Sequence, residues 1–203
     1  MKKELNGSEL AEFIKERQAK AVRGLRQEWK VIPRLAIIRT NPDPVVDSYM
    51  RIKTGYGEDI LVEVDVHDID QSEALGTVQR LNSDDSVHGI IVQIPLPDKS
   101  QTEEILNAVA AAKDVDGLAE VSDFDAPTPL AINWLMSGYN IDLQSSEICI
   151  LGSGRLVGAP LAKLWRQSGL DPVVLDKRTS NEEIVSQLQQ ADIIVSAAGA
   201  PGF

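Results

Sequence analysis

The sequence is poor in the residues that build covalent staples and metal centres. Among its 203 residues one is cysteine and two are histidine. A lone cysteine, Cys149, excludes an internal disulfide framework and fits a reducing compartment such as the cytoplasm. His67 and His88 stand far apart with no ligand spacing, so no metal is expected, and no Ser-His-Asp order is evident. Long apolar runs are also missing. None approaches the ~20 residues of a membrane span, and no hydrophobic stretch follows Met1 to Leu5, so no secretory signal is expected. Basic residues are in deficit, 20 against 31 acidic ones, for a net charge of −11. That balance argues against a broad nucleic-acid surface, which needs to be basic. It leaves room for a local basic pocket that takes an anionic ligand. Internal repeats and low-complexity segments are absent.

What remains is an ordinary globular composition, long enough for one large domain or two small ones. Helical patterns and apolar strands alternate. Asn6 caps a helix, with Glu9 completing a capping box, and Leu10, Phe13, Ile14, Ala21, Val22, Leu25 and Trp29 fall on one stripe. Strands are expected at 35–38, 60–66 and 89–92, with a helix through Tyr49 and Lys53 after the loop 41–44. Asp70 with Glu73, and Ser100 with Glu103, read as capping boxes of two further helices. Such a βαβ order predicts a largely parallel sheet. Prolines at 127 and 129 interrupt the pattern, placing a domain boundary near residue 121. A second βαβ series follows, with strands at 147–151, 172–175 and 192–196 and helices at 156–168 and from 181. The expected fold is therefore α/β: an N-terminal parallel-sheet domain over 1–121, then a Rossmann-type domain over 122–203. With about three strands before Phe203, the second sheet reads as incomplete.

The most informative stretch runs from Gly89 to Pro97. Ile90, Ile91 and Val92 form an apolar strand suited to a sheet covered on both faces. Gln93 then puts an amide at its carboxyl end, and Pro95 and Pro97 stop the pairing. In open α/β sheets ligands bind at that edge. Tyr49 and Lys53 are four residues apart on one helix face. They fit either a surface tyrosine on a lysine stem or an aromatic platform beside a catalytic amine. To act as a base near neutrality, that amine needs about 4 kcal/mol of preference for its neutral form. Burial and a neutral partner such as Gln93 supply this; a carboxylate opposes it. The segment Lys113 to Gly117 is either an acidic turn capped by glycine or a source of an aspartate for a polar heterocycle. Cys149 reads as an inert core residue.

In the second half, Gly152-x-Gly154-x-x-x-Gly158 follows a strand and opens a helix. Glycines there let the backbone approach a pyrophosphate, although the third is one residue late for the usual fingerprint. Asp176 ends the next strand, where an acidic residue binds a ribose hydroxyl and favours NAD. Lys177 and Arg178 follow at once and suit the 2′-phosphate of NADP, so the two signals conflict.

Taken in order, Tyr49-x-x-x-Lys53, Val92 to Pro97, Lys113 to Gly117, Pro127-Thr-Pro129 and Gly152 to Pro160 resemble the bifunctional methylenetetrahydrofolate dehydrogenase/cyclohydrolase family across essentially the whole chain. The resemblance implies a folate in a cleft between two domains, oxidation of 5,10-methylenetetrahydrofolate with NADP (NAD being the alternative), and hydrolysis of the methenyl product to 10-formyltetrahydrofolate. By position, Tyr49 stacks on the folate, Lys53 is the main catalytic group, Gln93 positions it and helps keep it neutral, and Asp116 holds the pterin. Val92 and Ile94 contribute to the folate wall. Gly152, Ser153, Gly154 and Lys177 occupy dinucleotide-contact positions. The family also implies a homodimer. Gly154 stands where the family usually has serine, Ser153 where it often has arginine or alanine, and Asp176-Lys177 where it has histidine-serine. Family members continue beyond the length of this chain, so it reads as C-terminally truncated. The competing readings are another NAD(P)-dependent two-domain dehydrogenase and an inactive, truncated folate-binding paralogue.

Overall fold

The computed structural model describes residues 4–199. The chain forms two compact units that part between Phe124 and Asp125. Each holds a three-stranded, wholly parallel sheet.

The first unit opens with α1 (Gly7–Glu28), capped by Asn6, whose side chain accepts from the Ser8 amide at 3.0 Å. The expected apolar stripe is buried only in part, with Leu10 and Ile14 half-buried. Ala19 and Val22 are its buried residues, whereas Phe13, Leu25 and Trp29 stay exposed. Strand β1 (Arg34–Arg39) follows, then α2 (Pro44–Ile60). Asp43 caps α2 through the Val45 amide at 2.8 Å, and Pro44 sits in the first turn, where its missing N–H costs nothing. Strand β2 (Glu63–Asp68) begins three residues later than the apolar pattern from Ile60 suggests. Ile60 is still helical and buried on α2, and Leu61 ends the helix in the left-handed region at φ 66°. Helix α3 (Ala74–Asn82), strand β3 (Gly89–Gln93) and α4 (Thr102–Asn107) complete the unit. The two expected capping boxes are replaced by short 3-10 turns before α3 and α4. Asp70 makes no side-chain cap, and Asp98, not Ser100, accepts from the backbone, at the Ser100 amide.

Sheet order is β2-β1-β3. Alternation along the strands splits the core in two. Ala36, Ile38, Ile90 and Val92 face one way and pack with α3 and α4 residues such as Val78, Leu81, Ile105 and Leu106. Ile37 and Ile91 face the other way and pack against Val46 and Met50 of α2. Gly57 lets α2 lie close to β2: a Cβ there would come within 2.4 Å of the Val64 side chain.

The second unit contains α5 (Pro127–Gly138), β4 (Ile148–Leu151), α6 (Gly158–Gln167), β5 (Val173–Leu175), α7 (Asn181–Gln190) and β6 (Ile193–Ser196). Sheet order is β5-β4-β6. Ile148, Ile150, Leu161, Ala162 and Trp165 form its core, and Ile132 brings α5 against it. Trp165 ties α6 to α5 by donating to Asn133 at 3.3 Å. Cys149 is buried in the central strand, and burial pushes its thiol pKa up. Gly169 closes α6 at φ +82°, a conformation glycine adopts without steric cost. Among the described residues no helix is long and apolar enough to cross a membrane.

Candidate functional site

Two arrangements emerge, one at the carboxyl edge of each sheet. In the first unit the site grows from α2. Its buried positions are Val46, Met50, Gly57 and Ile60, and Lys53 lies on that same stripe, three residues after Met50. The lysine therefore points along the sheet-facing side of the helix while remaining partly exposed. Tyr49 sits one step around the helix and is 55% exposed, open for a flat ligand to lie on.

Gln93 closes β3 on the same side of the sheet, since it alternates with Ile91, which faces α2. Lys53 Nζ donates to Gln93 Oε1 at 3.1 Å, and Gln93 Nε2 donates to the Ile94 carbonyl at 3.1 Å. The amide is thus fixed with its oxygen toward the amine. The Ile94–Pro95 peptide is cis. Val92 is buried at 3% exposure in the α3/α4-facing core, and Ile94 packs against that core. A ligand beside Gln93 therefore meets the Val92 backbone and not its side chain.

The segment 113–117 runs beside β3, where Asp114 bridges Ile90. Its charged side chains have separate fates. Lys113 Nζ donates to the carbonyls of Leu81, Asn82 and Asp84 at 2.8–3.0 Å, closing the end of α3. Asp114 is buried and accepts from the Ala119 amide at 3.0 Å, shaping the turn. Asp116 feels the charge of Lys53. Burial raises its carboxyl above the ordinary range; the Lys53 charge offsets part of this, and Asp114 adds to it. Burial thus draws Asp116 toward its neutral acid.

Arg39 is a neighbour that the sequence did not single out. It pairs in register with Gln93 on one side and Asp68 on the other. Its guanidinium reaches Asp47 of α2 at 2.6 Å and Asp68 at 3.2 Å, so it ties the first turn of α2 to the sheet. A charge at a strand end reads as solvated; only the Asp47 position, three residues into α2, hints at the pairing.

In the second unit β4 runs into the glycine loop. Gly152 adopts φ +100°, and a Cβ there would come within 2.9 Å of the Ala197 carbonyl oxygen. Gly158 meets the loop even more closely: a Cβ would lie 1.8 Å from the Gly152 carbonyl oxygen. The one-residue shift of this third glycine thus preserves the close approach of helix to loop. Gly154 has open space around its Cα, so the tip of the loop is clear for a ligand. Backbone amides at the start of α6 and an unobstructed loop suit a pyrophosphate.

Beyond β5, Asp176, Lys177 and Arg178 stand beside that loop. Ser153 Oγ donates to Asp176 Oδ2 at 3.1 Å. Arg178 Nη2 donates to the same oxygen at 2.7 Å and Nε to both oxygens at 3.2 Å. These contacts hold the Asp176 carboxyl far below its ordinary range, with the Arg178 side-chain hydrogen bonds as the largest cause. Lys177 is exposed. Among the described residues no group of three or more His, Cys, Asp or Glu side chains is placed to hold a metal ion.

The family model for tetrahydrofolate dehydrogenase/cyclohydrolase, catalytic domain, matches residues 5–116, and that for the NAD(P)-binding domain matches 126–203. A protein of Staphylococcus saprophyticus named bifunctional protein FolD is 33% identical, aligned over 98% of this chain and 73% of its own length. The crystal structure of the bifunctional FolD dehydrogenase/cyclohydrolase from Campylobacter jejuni superposes with a TM-score of 0.91 at 31% identity, covering 97% of this chain and 73% of that one. The Trypanosoma brucei dehydrogenase-cyclohydrolase, solved with NADP and an inhibitor, shares the fold with a TM-score of 0.90 at 24% identity, covering 97% and 72%.

Proposed function

Since the chain belongs to the tetrahydrofolate dehydrogenase/cyclohydrolase family, we propose that it oxidises 5,10-methylenetetrahydrofolate with NADP and hydrolyses the methenyl product to 10-formyltetrahydrofolate. The stretch 1–121 carries the folate chemistry and 122–203 holds the dinucleotide. The observation that carries the reading is the contact between Lys53 Nζ and Gln93 Oε1 at 3.1 Å, with Asp116 near enough to feel the amine's charge.

Tyr49 provides a face for the pterin, and Asp116 hydrogen-bonds its polar edge. The Val92 and Ile94 backbone lines the same surface. Gln93 fixes the direction of the Lys53 amine, which reduces the freedom lost on reaching the reactive geometry. In hydrolysis a water adds to the bridging carbon, and the bond to one ring nitrogen breaks. Lys53 is placed to take a proton from that water and return one to the departing nitrogen. Gly152, Ser153 and Gly154 cradle the pyrophosphate of the dinucleotide, with Asp176, Lys177 and Arg178 at its adenosine end. A dinucleotide held there would supply the hydride acceptor for oxidation of the methylene carbon. The protein acts in the cytoplasm as a homodimer. A purified chain given 5,10-methylenetetrahydrofolate should reduce NADP and should hydrolyse the methenyl compound. Absence of both activities in a folded preparation that still binds folate would overturn the assignment in favour of a binding paralogue.

A further inference from the structure

The proposed dinucleotide site contains an unresolved contradiction. An aspartate at the end of the second strand of such a domain accepts from the ribose hydroxyls of NAD and repels the 2′-phosphate of NADP, whereas an arginine there receives that phosphate. This chain carries both, two residues apart. Geometry separates their roles. The carboxylate of Asp176 is already supplied with donors: the Arg178 amide at 2.9 Å and Nε at 3.2 Å on Oδ1, and Ser153 Oγ at 3.1 Å, Arg178 Nε at 3.2 Å and Nη2 at 2.7 Å on Oδ2. Backbone contacts brace the turn, with Thr179 Oγ1 accepting from the Asp176 amide at 3.1 Å and the Thr179 amide donating to the Asp176 carbonyl at 2.9 Å. The Asp176 side chain is 15% exposed, while that of Arg178 is 84% exposed. The acid is the inner member of the pair and the base the outer one. The Nη1 group and one Nη2 hydrogen of Arg178 take no part in the clamp, and Lys177 adds a second exposed cation beside it.

We propose that Asp176 does not serve as the ribose acceptor but as the anchor that presents Arg178 to the 2′-phosphate, so that the Asp176–Arg178 pair is what selects NADP over NAD. The proposal rests on the dinucleotide reading of the glycine loop. Arg178 both neutralises the acid and offers its remaining N–H groups to the phosphate. A charge-assisted, forked contact of this kind is among the stronger hydrogen-bonding arrangements.

The test is equilibrium binding of NADPH and NADH, followed by ligand fluorescence, for the full chain and for Arg178→Ala, Asp176→Ala and the double variant. Circular dichroism checks that each is folded. Arg178→Ala should weaken NADPH by about tenfold or more, and should leave NADH unchanged or tighter, because it uncovers Asp176. Asp176→Ala should also weaken NADPH although it removes a negative charge, and should have little further effect once Arg178 is gone. That sign separates the two roles. If Asp176 faced the ribose directly, its removal would tighten NADPH and weaken NADH, and that result would overturn the proposal. An NADPH:NADH ratio unmoved by Arg178→Ala would overturn it as well, with the dinucleotide site itself still standing. Failure of the unaltered chain to bind either nucleotide would remove both the site and the selector.

Discussion

Replacing Lys53 by alanine removes the amine that Gln93 holds at 3.1 Å. Both activities should fall by about 10²–10⁴-fold, the range of general acid–base catalysis, with the melting temperature little changed because the side chain is partly exposed. A steady-state assay of each reaction checks this; retention of hydrolysis would assign the proton transfer elsewhere. Asp116 makes a different kind of test. Its folded carboxyl titrates above the ordinary carboxylate range, chiefly through burial. An acid raised in this way favours the fold below its unfolded value, and that benefit is lost as pH rises through the folded one. At neutral pH the ionised form therefore costs stability, so Asp116→Asn should unfold at higher temperature than the parent at pH 7 while binding folate more weakly. The gap in melting temperature should close as pH falls below the ordinary carboxylate range. The meeting of Lys53 with Gln93 was legible in sequence from positional signals: helical spacing for Tyr49 and Lys53, a strand end for Gln93. Arg39 was not, because its partners Asp47 and Asp68 come from two other elements. Nor did the motif distinguish Lys113 and Asp114, which shape the turn, from Asp116.

At the scale of elements, the loop between β4 and α6 is where one atom has the largest leverage. A Cβ on Gly158 would lie 1.8 Å from the Gly152 carbonyl oxygen, so helix and loop would have to separate. Gly158→Ala should cost about 1–3 kcal/mol of stability by overpacking and weaken dinucleotide binding. Folate binding should be unaffected, since the first unit has its own sheet and core. Thermal melting and separate titrations with the two ligands would show this. The alternation of strands and helices was readable from apolar periodicity, and both sheets are parallel as that order requires. Termini were less so. A run of apolar residues from Ile60 looks like one strand, yet Ile60 completes a buried helix face and Leu61 turns the chain. Acid-rich starts at Asp70 and Ser100 imitate capping boxes, but the backbone tightens into 3-10 turns instead. The apolar stripe of α1 held only in part: Val22 is buried and Leu10 and Ile14 are half-buried, while Phe13, Leu25 and Trp29 stay exposed. Periodicity shows that a helix has a face, not which face is covered.

For the whole molecule, the expectation is a dimer. Sedimentation equilibrium should give about 44 kDa, twice the 22.1 kDa of one chain, and a mass of one chain at micromolar concentration would refute it. The net charge of −11 makes self-association sensitive to ionic strength, because like charges repel and salt screens them. The dimer should therefore tighten on moving from low to physiological salt. Finally, a single thiol in the middle of a parallel sheet makes the second unit its own clock. Cys149 lies at 1% exposure in β4, between β5 and β6, and the chain holds no other cysteine to confuse the signal. A thiol reagent can reach it only when that sheet opens, so the labelling rate tracks the opening of the sheet. Ligand that binds the closed sheet alone should slow labelling by 1 + [L]/Kd, about 100-fold at one hundred times Kd. Folate, held by the other unit, should leave the rate alone if the two open independently, and slow it if they open together.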